Sequence, residues 1–152
     1  MTATMTFDDL EVGATWRSAA RTLTESELAW SCMTSGDWHP IHADAEFVKT
    51  TPLGARMFQG TYGIHVAVGM ATHFPQLGDD IIAALGLSQW RYLKPLFVGD
   101  TVHVEVKILS KRITSNPERG ILEREIRLVD HNGDVVHEGI LQTMARRREA
   151  SA

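Results

Sequence analysis

The sequence predicts an α+β fold in one domain: a long buried helix packed against an antiparallel sheet that curls around it. Three features carry this expectation. The segment from Thr61 to Gly78 contains no Asp, Glu, Lys or Arg, which suits a helix surrounded by protein. Four strand-like segments follow it, joined largely by short turns. The chain has 152 residues, 43% of them hydrophobic, enough for one domain with a real core.

Taken in order, Met1 to Thr6 is expected to be a frayed tail, and Phe7 to Gly13 a loop. Thr15 to Leu23 reads as a strand. Thr24-Glu25-Ser26-Glu27 is a capping box, in which the Thr24 hydroxyl takes the Glu27 amide proton and the Glu27 carboxylate reaches back. A helix through Leu28, Ala29, Cys32 and Met33 should stop at Gly36. Pro40 cannot continue that helix and pushes His39 toward an extended backbone. Asp44 can cap a short helix through Phe47 and Val48, ending before Pro52.

Gly60 to about Phe74 is the long apolar helix, roughly 22 Å at 1.5 Å per residue, with Pro75 and Gly78 ending it. Ile81 to Leu93 is a mostly apolar strand bounded by Pro95. Val102, Val104, Val106 and Ile108 alternate with Thr101, His103, Glu105 and Lys107, a period of two. Asn116 to Gly120 is a turn. Leu122, Ile126 and Leu128 share a strand face that Arg124 interrupts. Asn132-Gly133 is a two-residue hairpin signal, and Val135 to Met144 the last strand, with Gly139 a candidate bulge. The domain is therefore residues 1–152, with tails at 1–6 and 147–152.

The net charge of −4 gives no general affinity for nucleic acid or an anionic membrane. The run Arg146-Arg147-Arg148 reads as a solvated tail. Cys32 is the only cysteine, so no internal disulfide forms, which fits a reducing cytoplasm. No signal peptide is expected, and no membrane span.

Chemistry concentrates in Ser35-Gly36-Asp37-Trp38-His39-Pro40-Ile41-His42. A carboxylate and an imidazole on one rigid turn, Asp37 and His42, can reach one water and do general acid–base work. The same spacing also suits a purely structural turn, with Asp37 in an Asx-turn and His42 capping the next helix. His39, His42 and Asp44 fall within six residues and invite a zinc reading, but no fourth ligand is evident and no metal is expected. Gly60 opens the apolar helix, where unpaired amides and the helix dipole favour negative charge. Its N–H can stabilise an oxygen that gains charge, or the glycine can be only a tight entry turn. Arg91, Lys94 and Arg112 are available to phosphates or to solvent. Ser31, Ser35 and Cys32 lack an activating partner.

That turn resembles the Gly-Asp-x-Asn-Pro-(Ile/Leu)-His signature of the MaoC-like, (R)-specific enoyl-CoA hydratases. The resemblance continues through Thr50-Thr51-Pro52-Leu53-Gly54, Gln59-Gly60 and the block from Arg91 to Thr101, covering about Val12 to Arg148. It implies the hot-dog fold, a long helix wrapped by a curved antiparallel sheet. It implies a hydro-lyase that adds water to a trans-2-enoyl-CoA to give a (3R)-3-hydroxyacyl-CoA, or the reverse dehydration. Asp37, His42 and Gly60 then match the catalytic residues. His39, Pro40, Gln59, Tyr62 and Gly63 are the candidate substrate-binding residues around them. No cofactor is implied, since CoA belongs to the substrate, and the chain is expected to be a homodimer or higher homo-oligomer. Two positions depart from the pattern: His39 replaces Asn, and Gln59 replaces a His before the helix glycine. A non-catalytic acyl-CoA-binding or partner hot-dog subunit, and a thioesterase, are the alternative readings.

Overall fold

The computed structural model describes residues 5–75, 77 and 80–148. A short 3-10 helix at Phe7–Asp9, capped by Thr6, stands where the sequence suggested only a loop. Strands β1 (Thr15–Arg17) and β2 (Arg21–Thr22) precede helix α1 (Glu25–Ser35). Helices α2 (Pro40–Ala43), α3 (Ala45–Lys49) and α4 (Gly60–Ala71) follow. Strands β3 (Ile81–Tyr92), β4 (Thr101–Ile113), β5 (Arg119–Asp130) and β6 (Val135–Arg146) complete the chain.

All strand pairs are antiparallel, in one six-stranded sheet of order β1-β4-β5-β6-β3, with β2 also on β4. Helix α4 lies against β4 and β5. This is the expected α+β hot-dog arrangement. The helix buries Tyr62, Gly63, Val66, Ala67 and Ala71, one stripe at helical spacing. These meet Val102, Val104, Val106, Ile126 and Leu128 from the inward faces of β4 and β5. A second cluster of Phe7, Leu10, Leu77, Ile108, Leu122 and Ala145 closes the far end.

Several elements differ from the expectation, each for a local reason. The strand expected over Thr15–Leu23 is split in two. Ser18 still pairs with Val104, but the Val104 N–H goes to the serine hydroxyl at 2.9 Å, and the backbone ladder is interrupted there. Helix α4 stops at Ala71, before Phe74, where Thr72 donates its N–H to Gly69. The β5–β6 connection is four residues rather than two, because the Asp130 carboxylate accepts from the amides of Asn132 and Asp134. Gly133 takes the left-handed φ of 87° within that loop.

Gly139 is no bulge toward β5, since it pairs in register with Ile126. It is small because Trp90 covers it: a Cβ there would lie 2.4 Å from the indole ring. Of three register shifts between β3 and β6, the one opposite Gly139 sits in β3 between Ser88 and Arg91, with Gln89 at φ 52°. Arg124 interrupts nothing. It is buried on the inward face, donating to the Phe74 carbonyl at 2.8 Å and the Thr143 hydroxyl at 2.7 Å. Burial lowers its pKa to about 10, so it stays cationic at neutral pH. Arg147 and Arg148 are likewise held, paired with Asp8 and Asp9. Among the described residues no helix is long and apolar enough to cross a membrane.

Candidate active site

Helix α1 ends because Gly36 adopts φ 71°, a left-handed cap whose N–H returns to Cys32. The chain then turns sharply through Asp37. The Ser35 hydroxyl accepts from the Asp37 N–H at 3.1 Å, and Asp37 Oδ1 accepts from the His39 N–H at 3.2 Å. His39 caps α2, its Nδ1 accepting from the Ile41 amide, and Pro40 occupies the first helical position, where its missing N–H costs nothing. One helical turn brings His42 inward, where it is buried.

The His42 ring is fixed from both sides. Its Nδ1 lies 2.7 Å from the Met57 carbonyl, and its Nε2 lies 3.5 Å from Asp37 Oδ2. A carbonyl only accepts, so Nδ1 carries the proton. In the neutral ring Nε2 is then an acceptor facing a carboxylate that is also an acceptor. Two acceptors at that separation can share the two protons of one water. The Asp37 side chain is 45% exposed, so this pair opens to solvent on the Asp37 side.

Met57 is itself anchored. Its N–H donates to Ile41, Phe58 donates to Leu96, and Met57 bridges Phe97 across the β3–β4 connection. Nothing in the sequence signals this carbonyl, because a main-chain acceptor leaves no mark on residue type.

Gly60 opens α4, and a Cβ there would come 2.8 Å from the Tyr92 ring. Any larger residue would therefore displace the exposed Tyr92 ring. Gly60 also lines an apolar cavity of about 310 Å³ with Leu53, Met57, Phe58, Tyr92, Leu96 and His137 among its walls. Gly63 has a packing role: a Cβ there would fall 2.0 Å from His137 Cε1. The only sign of His137 in the sequence is a histidine at a buried position of an apolar strand. Burial pulls its pKa down to about 4, so it is neutral at pH 7.

Gln59 and Tyr62 turn toward α1. Gln59 is buried and its amide bonds Ser31, Cys32 and the Asp37 carbonyl. The Tyr62 hydroxyl donates to Glu27 at 2.8 Å, and its ring stacks on Phe58 and His65. Burial and the adjacent Glu27 push Tyr62 up to about 12. Burial pushes Glu27 the same way, but bonds from Arg21, Tyr62 and Thr24 outweigh it and hold the carboxyl at about 2. The Asp44 carboxylate is used as the α3 cap, accepting from Glu46 and Phe47. Among the described residues no three metal-ligating side chains converge. Arg91 pairs with Glu138, and Lys94 with Asp134 at 2.5 Å.

Residues 10–126, which include the Asp37–His42 turn and Gly60, match the family described as MaoC like domain. The chain belongs to the MaoC-like family. Among its relatives, mesaconyl-CoA hydratase of Cereibacter sphaeroides is 26% identical over 96% of this chain. The 3-hydroxybutyryl-CoA dehydratase of Methylorubrum extorquens is 33% identical over 67% of it. This chain spans 42% of the first relative and 62% of the second. The unliganded R-hydratase PhaJ1 of Pseudomonas aeruginosa superposes with a TM-score of 0.80 at 25% identity, covering 95% of this chain and 88% of that one.

Proposed function

We propose that this MaoC-like chain is a hydro-lyase acting on an acyl-CoA thioester, interconverting a trans-2-enoyl-CoA and water with a (3R)-3-hydroxyacyl-CoA. The observation that carries the reading is the His42–Asp37 pair, two acceptors 3.5 Å apart with the far side of the imidazole locked by the Met57 carbonyl. The hydratase and dehydratase relatives support the same class of reaction.

In this reading the water donates one hydrogen to Asp37 and one to His42. Asp37 takes a proton from the water as its oxygen attacks C3 and, now a carboxylic acid, returns that proton to C2, while His42 Nε2 accepts the water's other hydrogen and holds its oxygen in place. The thioester oxygen becomes an enolate during attack, and the Gly60 amide at the head of α4 stabilises it. The thioester acidifies the α-carbon, so the step needs no cofactor. The apolar cavity beside Gly60 receives the acyl group, and His39 and Pro40 shape the rim on the Asp37 side.

The active unit is a homodimer or larger assembly of this chain. Among the described residues strand β3 ends the sheet with one edge unpaired, and it exposes Ile82, Leu85 and Tyr92, which a second copy would cover.

The test is hydration of a panel of trans-2-enoyl-CoAs, followed by coupling of the product to an (S)-specific 3-hydroxyacyl-CoA dehydrogenase. Loss of the enoyl absorbance with no NADH formation is expected. Stoichiometric NADH, or release of free thiol without hydration, would overturn the reading.

A further inference from the structure

Gln59 occupies the N-cap of α4, yet its side chain makes no bond to that helix. It points instead into the seam between α4 and α1, where it is 4% exposed. Nε2 donates to the Asp37 carbonyl at 3.1 Å and to Cys32 Sγ at 3.3 Å, while Oε1 accepts from the Ser31 hydroxyl at 2.6 Å. The orientation of the amide is forced, because the Asp37 carbonyl can only accept. Ser31 and Cys32 lie in the last turns of α1 and are also buried. Gln59 is not among the walls of the cavity beside Gly60, which include its neighbours on either side, Phe58 and Gly60; it lines instead a smaller pocket of about 190 Å³ between α1 and α4, on the side of Ser31 and Tyr62.

The consequence is mechanical. Asp37 hangs between the left-handed cap at Gly36 and the His39 cap of α2, and its side chain is solvent-exposed. Its main-chain carbonyl is held by a side chain from a different element. That side chain belongs to the residue preceding Gly60. One buried amide thus ties the acid–base turn to the helix start.

We infer that Gln59 is a positioning residue, which fixes the Asp37 carboxylate against His42 and in register with the Gly60 amide, and does not contact substrate. This rests on the hydratase reading of the same site. It also gives a reason for glutamine at this position: a carboxamide can donate to Asp37 and accept from Ser31 at once, with no dependence on pH.

The test compares Gln59→Leu and Gln59→Glu with the wild type on crotonyl-CoA. Gln59→Leu should lower kcat by about 10–100-fold, the scale of a misplaced catalytic group, with KM changed by less than about 3-fold. Gln59→Glu is isosteric and donates to Asp37 only while its carboxyl is protonated, a form that burial favours. Its kcat relative to wild type should therefore fall as pH rises, a trend that a merely structural role would not produce. A near-normal kcat in folded Gln59→Leu, a rise in KM alone, or a flat ratio for Gln59→Glu would overturn the assignment.

Hydrogen exchange without substrate separates this from the hydratase reading. Faster exchange at residues 36–39 in either variant supports the tether even if the wild type hydrates no enoyl-CoA. Unchanged exchange in both variants removes it.

Discussion

At the scale of single residues, the site joins side chains whose partners are mostly backbone. Asp37 and His42 meet because Gly36, Pro40 and the Met57 carbonyl fix the path between them. Asp37→Asn and His42→Ala should each lower kcat by about 10²–10⁴-fold. Steady-state kinetics on the double variant should show little further loss, because in the proposed mechanism both groups serve one water. Gly63 carries a different demand. Gly63→Ala would drive a methyl group into the buried His137 ring, costing about 1–3 kcal/mol as overpacking does. Urea denaturation should reveal that loss, and adding His137→Ala should recover part of it.

Between elements, Glu27 makes one of the contacts that join α1 to α4. This residue closes the capping box of α1 and also accepts from Arg21 and from Tyr62 on α4. Its folded pKa of about 2 lies below its ordinary value of 4.5. The contribution is therefore present above pH 4.5 and lost as pH falls through 2. His137, between β6 and α4, is depressed from 6.5 to about 4 by burial. It opposes unfolding fully above pH 6.5 and loses that effect as pH falls through 4. Chemical denaturation from pH 7 to pH 3 should show stability falling first between 6.5 and 4. His137→Phe should flatten that upper part, and Glu27→Gln should flatten the part below 4.5 while lowering stability at neutral pH.

For the whole molecule, one curved sheet carries the site at the head of its helix and leaves β3 on an open edge. Sedimentation velocity should give a dimer or larger species, and Leu85→Asp on that edge should shift the protein toward monomer with reduced hydration. A fully active monomer would contradict the proposed assembly. The basic C-terminal run, which the sequence suggested was a free tail, instead joins the two ends of the described chain through Asp8 and Asp9. Arg147→Ala should therefore lower thermal stability without altering kcat.

The sequence by itself determined the features that depend on short-range chemistry. The capping box at Thr24, the stop at Gly36, the cap at Asp44 and the period-two strand from Thr101 to Ile108 are local, and each formed as read. The signature around Asp37 and His42 was legible because all its parts lie within a few residues. What the tertiary structure decided are contacts between residues far apart in the chain. The Met57 carbonyl behind His42, the placement of Gln59 against Asp37, and the engagement of Tyr62 with Glu27 all join separate elements. Gly63 read as a candidate for substrate binding and Gly139 as a candidate bulge, since the ring packed against each, His137 and Trp90, comes from another element. Arg124 looked like an interruption because nothing near it in sequence could satisfy a guanidinium; its acceptors, Phe74 and Thr143, arrive only when helix and sheet close around it.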